Sequence, residues 1–196
     1  MGKIFYVMGK SASGKDTIYK KLHSRMPELK TVTMYTTRPI RDGEHNGVEY
    51  FFVDSLYLEQ CRLKKKLIEC RTYDTVYGPW SYFTVDDGQI DLEQGNYLVM
   101  GTLESYEKMR RFYGTAALVP LYIHVEDGLR LRRALERDEQ QSIPKYKEMC
   151  RRYLADEEDF SPEKLERCGI VDQYENVVLE DCLREIIGEI RRLCAE

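Results

Sequence analysis

Gly9-Lys10-Ser11-Ala12-Ser13-Gly14-Lys15, with Asp16 and Thr17 directly after it, decides how the rest of this chain is read. The stretch fits GxxxxGK. It lies between a short apolar run rich in β-formers, Ile4 to Met8, and a segment from Lys15 to Met26 that reads as a helix closed by Pro27. Strand, glycine-rich turn and helix are the context in which the pattern is a phosphate-binding loop. Glycine lets backbone N–H groups turn toward a polyphosphate, the helix N-terminus adds positive potential, and the Lys15 ammonium can reach β- and γ-phosphates. Gly9 to Thr17 is therefore expected to hold the phosphates of ATP.

The residue after the lysine is usually Ser or Thr, whose hydroxyl joins Mg²⁺. Here Asp16 takes that place and the hydroxyl comes one residue later, at Thr17. Both are the expected magnesium ligands, with binding retained and its coordination altered.

Outward from the loop, Lys30 to Tyr35 reads as a second strand, Thr36 to Gly47 as a long loop and Val48 to Val53 as extended chain. Ser55 is the candidate cap of a helix reaching Lys66. Leu67 to Tyr73 reads as a strand, Tyr77-Gly78-Pro79 as a turn and Ser81 to Val85 as another strand. The chain then alternates: helix near Leu92, strand Tyr97 to Gly101, helix Leu103 to Tyr113, strand Ala117 to Val125, helix Gly128 to Glu139. Ile143, Tyr146, Met149, Cys150, Tyr153 and Leu154 recur at helical spacing before Pro162 breaks the pattern. A β-like run from Tyr174 to Leu179 and a helix from Asp181 to Leu193 follow. This alternation predicts an α/β fold, a P-loop-type parallel sheet flanked by helices.

A chain of 196 residues is long enough for one buried core and short for two, so one domain with mobile insertions is expected. The net charge of −4 speaks against nonspecific nucleic-acid binding, which demands a basic surface. Six cysteines without a CxxC pair, and only three histidines, indicate neither a zinc site nor a disulfide framework. The apolar run at the start is too short for a signal-peptide core or a membrane span, and Tyr6 stands where myristoylation asks for Ser or Thr. The expectation is a cytoplasmic monomer or homodimer whose partners are small-molecule nucleotides, with no nucleic-acid or membrane partner.

Thr36-Thr37-Arg38-Pro39-Ile40-Arg41-Asp42-Gly43-Glu44, followed by Asn46-Gly47-Val48-Glu49-Tyr50-Phe51-Phe52-Val53, closely resembles the acceptor-binding segment of guanylate kinases. Leu67-Ile68-Glu69 and Tyr77-Gly78 resemble the same family's acceptor subdomain, and the order of elements is similar along nearly the whole chain. The resemblance implies a single guanylate-kinase-like domain with its core at 1–33, 85–129 and 156–196. A small β-rich acceptor subdomain would lie near 34–84 and a helical lid near 130–155. It implies ATP and Mg²⁺, with Arg38, Arg41, Tyr50 and Tyr77 on the acceptor's phosphate, Glu69 accepting hydrogen bonds from guanine, and Arg152 as a lid arginine. Lys15, Arg38 and Arg152 would then carry catalysis. The chemistry also stands without the family name, because a guanidinium fork matches a phosphate and tyrosine hydroxyls add neutral donors. Arg130, Arg132, Arg133, Arg137, Arg151 and Arg152 crowd the two helices of the implied lid, where charge runs are most often solvated faces.

Two places depart from the family's pattern. Pro79 and Trp80 follow Tyr77-Gly78 where the family has Ser or Thr, and Met100-Gly101-Thr102 stands where it has an acidic pair, Thr102 at the second carboxylate. GMP or dGMP is the expected acceptor, with a relaxed guanine preference and Thr102 as a weaker partner of the base. A kinase for another monophosphate, and a guanylate-kinase-like binding module without catalysis, are the alternative readings. Intact Gly14 and Lys15 speak against the second.

Overall fold

The computed structural model describes residues 1–75 and 77–195. All five residues of β1 (Ile4–Met8) are buried, as a continuous apolar run covered on both faces requires. β1 is the middle of a five-stranded, all-parallel sheet. On one side lie β7 (Tyr97–Met100) and β2 (Lys30–Thr31), on the other β8 (Leu118–His124) and β9 (Tyr174–Glu175). One face packs Phe5, Val7, Leu98, Leu121 and Ile123 against α1 (Lys15–Arg25) and α7 (Leu179–Ala195). The other packs Ile4, Tyr6, Met8, Tyr97 and Val99 against α3 (Leu103–Tyr113) and α6 (Pro162–Arg167). Such a sheet places its ligand-binding turns beyond the carboxyl ends of its strands, where the loop after β1 lies.

A second, four-stranded sheet is inserted between β2 and β7, in the order β4-β3-β6-β5. It comprises β3 (Tyr35–Thr36), β4 (Phe51–Phe52), β5 (Leu67–Thr75) and β6 (Gly78–Val85). Tyr35, Phe83 and Val85 on its inner face bury Leu58 and Cys61 of α2 (Ser55–Leu63), making a separate small core. The segments entering and leaving this insertion lie side by side. Gln89 Oε1 accepts from the Thr33 N–H at 2.9 Å, and Gln89 Nε2 donates to the Thr33 carbonyl at 3.2 Å. Asp87 accepts from the Tyr35 hydroxyl at 2.7 Å. The remaining helices, α4 (Asp127–Glu139) and α5 (Tyr146–Asp159), form a pair beyond β8.

Several elements differ from the sequence reading, each for a physical reason. The Lys30 to Tyr35 run splits into β2 and β3, because the chain leaves one sheet for the other between Thr31 and Tyr35. Val48 to Val53 shortens to Phe51–Phe52. Asp54, not Ser55, caps α2, its carboxylate accepting from the Tyr57 N–H at 2.8 Å. No helix forms near Leu92. Asp91 Oδ1 accepts from the Glu93 N–H at 2.9 Å, the Asp91 carbonyl accepts from Gln94, and Leu92 gives its carbonyl to Gly2, so the chain turns. Pro79 lies within β6, opposite Asp74. Pro162 starts α6 at its first turn as well as ending the previous pattern. α5 starts at Tyr146, leaving Ile143 outside it, and runs on to Asp159, so the 155/156 boundary between lid and core falls inside this helix. Of the Tyr174 to Leu179 run, only Tyr174–Glu175 pairs with β8, and Leu179 already begins α7.

Candidate active site

Gly14 is the N-cap of α1, held at φ 85°, and no side chain caps the helix. Its first-turn N–H groups are thus left for a ligand, as a helix terminus that binds phosphate requires. The loop's shape is set from behind. A Cβ on Gly9 would lie 2.5 Å from the Ile123 carbonyl oxygen, and one on Gly14 would collide with the Asn176 amide. That amide donates to the Ser13 carbonyl at 2.8 Å, so the β9–α7 turn buttresses the loop. Ala12 adopts φ 64°, a conformation that favours glycine. Ser13 is buried, and its Oγ has no hydrogen-bond partner among the described residues. An uncapped helix start and an orphaned buried hydroxyl in one loop fit a polyphosphate. Lys15 follows, its Nζ 3.7 Å from Asp16 Oδ2, and both Asp16 and Thr17 are exposed in the first turn. One exposed carboxylate beside a hydroxyl fits a Mg²⁺ ion, which takes most of its ligands from phosphates and water. No group of three potential ligands occurs among the described residues.

Acidic groups of α4 and α5 close over the loop. Asp156 Oδ2 accepts from the Ser11 N–H at 2.8 Å. Lys10 Nζ donates to both Glu157 carboxylate oxygens at 2.8 Å and lies 3.7 Å from Asp127. Arg130, only 1% exposed, stacks 3.9 Å from the Tyr153 ring centroid and pairs with Asp127 at 3.0 Å, Asp156 at 3.4 Å, and Glu157. Arg130, one of six arginines in the charge run, is thus the one buried against the loop's surroundings. Arg152 is 57% exposed on α5 and pairs with Glu148 of the same helix at 2.8 Å. The same Glu148 also takes Arg151, and these two guanidinium groups hold its carboxyl at about 2.

In the bend that follows β3, Arg38 is buried and forms a bidentate pair with Glu44 at 2.7 and 2.6 Å. Its guanidinium packs 5.3 Å from the Tyr50 and 5.1 Å from the Phe52 ring centroids. Glu44 also accepts from the Arg41 backbone N–H at 2.9 Å, while the Arg41 side chain is exposed. The Arg38 hydrogen bonds, with that from the Arg41 N–H, hold the Glu44 carboxyl at about 2. Burial pushes the Tyr50 hydroxyl up, so it stays a neutral donor. Tyr77 is 81% exposed and stacks on Trp80, ring centroids 6.0 Å apart, away from this cluster's contacts.

Alternation along β5 and β6 puts Glu69, Arg71 and Tyr73 on one face, opposite Thr84, Tyr82 and Trp80. Tyr82 packs on both Tyr50 and Tyr73, with ring centroids 5.7 and 5.9 Å apart, so this face is continuous with the Arg38 cluster. Glu69 is fully buried. Arg71 Nε donates to it at 3.0 Å, Arg71 Nη2 at 3.4 Å and Thr84 Oγ1 at 3.0 Å. Thr102 caps α3, accepting from the Ser105 N–H at 3.3 Å, and also accepts from Arg71 Nη1 at 3.1 Å. Arg71, Glu44, Asn176, Asp156 and Glu157 were not singled out from sequence. Arg71 was within reach, two residues beyond Glu69 on a strand and hence on its face.

Fold and loop together define an α/β protein with a glycine-rich strand-to-helix turn after β1 and an inserted four-stranded sheet. Residues 1–86 match the guanylate kinase family model. The chain is 39% identical over 67 residues to the guanylate kinase of Thermobifida fusca, 34% of each protein. To that of Syntrophomonas wolfei it is 32% identical over 114 residues, 55% of this chain and 56% of that one. The chain thus spans about a third to a little over half the length of these curated relatives. The crystal structure of guanylate kinase from Anaplasma phagocytophilum superposes with a TM-score of 0.64 at 18% identity, covering 97% of this chain and 85% of that one. The fold is that of guanylate kinase.

Proposed function

We propose that this protein is an ATP-dependent nucleoside monophosphate kinase that phosphorylates GMP, or dGMP, to the diphosphate by in-line transfer. One observation carries the reading: an uncapped helix N-terminus with Lys15 behind Gly14, in a chain whose insertion holds a buried, phosphate-compatible arginine at Arg38. The loop from Gly9 to Thr17 binds the donor phosphates, with Lys15 offsetting charge as the γ-phosphoryl moves. Asp16 and Thr17 would hold magnesium, which would supply positive charge to offset that of the donor phosphates. Arg38, with Arg41 and Tyr50, orients the acceptor phosphate, Glu44 keeping the guanidinium in plane until the phosphate arrives. No general base is needed, because the attacking phosphate oxygen is already anionic.

In this reading residues 34–84 are the acceptor subdomain and 130–155 the lid. Arg130 or Arg152 turns to the transferred phosphoryl when both close and exclude water. The protein works in the cytoplasm as a monomer or homodimer on free nucleotides. No membrane or nucleic-acid partner belongs to this reading, and no helix among the described residues is long and apolar enough to cross a membrane.

The test is a coupled assay of ATP consumption against a panel of nucleoside monophosphates, with Lys15→Ala as control. Lys15→Ala should fold normally and lose roughly a hundredfold or more in turnover, as removal of a transition-state charge donor does. Near-normal turnover by the folded variant would reject the mechanism. Silence of the wild type with every monophosphate would favour a non-catalytic binding module.

A further inference from the structure

A carboxylate that reads guanine must be free to accept from the N1–H and 2-amino group of the base. Glu69 is not free. Both its oxygens are taken, Oε2 by Arg71 Nε and Oε1 by Arg71 Nη2 and Thr84 Oγ1, and its side chain has no exposed surface. The donor edge of guanine, N1–H beside the 2-amino group, presents two neighbouring N–H donors on one carbon, as one side of a guanidinium does. Arg71 lays such a pair of donors against Glu69 and reaches on to Thr102, whose hydroxyl accepts from Nη1. We infer that Arg71 occupies the place of the guanine donor edge, so that the acceptor's base is read by a guanidinium and not by Glu69. The inference rests on the kinase reading above and concerns which bases the same site takes.

The chemistry of the swap sets the selectivity. A guanidinium has only donors, five N–H groups in a planar fork. Glu69 and Thr102 engage three of them, which leaves two for the Tyr73 hydroxyl beside it and for the base. Donors match a base edge that presents acceptors, and with one N–H given to Tyr73 the remaining one meets O6 of a 6-oxopurine, an atom that arginine usually contacts. Adenine presents its 6-amino donor there and is opposed. The 2-amino group, which separates guanine from hypoxanthine, meets no free carboxylate at Glu69. GMP and IMP should therefore be used alike, and AMP poorly.

Steady-state kcat/KM for GMP, IMP and AMP with the wild-type chain is the first readout, and it needs no variant. The expected result is a GMP-to-IMP ratio within about threefold, with AMP at least tenfold lower. Glu69→Gln then separates the two roles of the acid. If it holds Arg71, kcat/KM falls by a similar factor for GMP and IMP and their ratio stays put. If it reads guanine, the ratio collapses because GMP alone suffers. Arg71→Ala, or the charge-neutral pair Arg71→Ala with Glu69→Gln should the single variant fail to fold, removes the guanidinium and should abolish the advantage of 6-oxopurines over AMP. A wild-type GMP preference over IMP above thirtyfold, or a ratio that collapses in Glu69→Gln, would overturn the inference while leaving the kinase reading intact. Turnover of no monophosphate would remove the kinase reading and this inference with it.

Discussion

Asp156→Asn should tighten ATP binding. In the structure the Asp156 carboxylate holds the Ser11 N–H at 2.8 Å, one of the loop donors that a phosphate needs, and ATP must displace it. Five charged groups meet there, Lys10 and Arg130 against Asp127, Asp156 and Glu157, which leaves one excess negative charge beside a loop built for a polyanion. A hydrogen bond to a charged partner contributes about 1.5–3 kcal/mol and a neutral one about 0.5–1.5, so the amide holds the loop less tightly by about 1–1.5 kcal/mol. Removing the carboxylate's repulsion of a phosphate about 5 Å away acts in the same direction, about 3 kcal/mol at an effective dielectric near 20 before solvent screening reduces it. Together these give a gain in affinity on the order of tenfold, at 1.4 kcal/mol per decade. Arg130 keeps Asp127 and Glu157, so the fold should hold. Titration with a fluorescent ATP analogue, alongside a thermal melt, reads the effect. Unchanged or weaker ATP binding in a variant with an unaltered melt would refute the reasoning.

Three other perturbations test separate parts of the site. Asp16→Ala should raise the Mg²⁺ concentration needed for half-maximal activity, whereas Asp16→Ser should retain activity with a changed Mg²⁺-to-Mn²⁺ preference. If neither moves the metal titration, Asp16 is only a helix N-terminal residue favoured by the dipole. Ala12→Gly should stabilise the chain by about 0.5–1 kcal/mol, because relief of the left-handed backbone outweighs the added freedom of the unfolded chain, and denaturant unfolding would show the opposite sign if φ 64° carries no strain. Glu44 falls from its ordinary 4.5 to about 2 in the fold, so the stability it gives is complete above about 4.5 and lost as pH falls through about 2. The gap in Tm between wild type and Glu44→Gln should accordingly hold steady from neutral pH down to about 5 and close in strong acid. A gap that already closes near pH 6 would mean another group is responsible.

The core fold was legible because its signals are local. The β1 run, the Gly9 to Lys15 turn, and the apolar spacing of α3 and α7 each announce themselves within a few residues. What local reading missed depends on tertiary placement. Residues 30 to 35 look like one strand, yet their two ends hydrogen-bond to different sheets. Arg130 and Arg152 are indistinguishable in a charge run, and only packing against Tyr153 and the loop's acids buries one and leaves the other in solvent. Glu69 read as a free acceptor because its partner, Arg71, carries no family signal, although strand alternation places the two on one face. The Asp156 contact joins residues 145 positions apart, beyond what any spacing rule reaches.

The Gln89 clasp has a mechanical meaning. An insertion tethered by two separate strands can tilt, twist and slide. Here one amide grips both the N–H and the carbonyl of Thr33, as a neighbouring strand would, so the two tethers act as a single pivot. Hydrogen bonds from Arg71 to Thr102 and from Lys108 to the Cys70 carbonyl tie the same sheet to α3, so the clasp is one of two places where the insertion meets the core. If the sheet closes over Lys15 as the proposed function requires, the clasp is the contact that can stay made while those to α3 are released, and it would return the same groups to the same place each time.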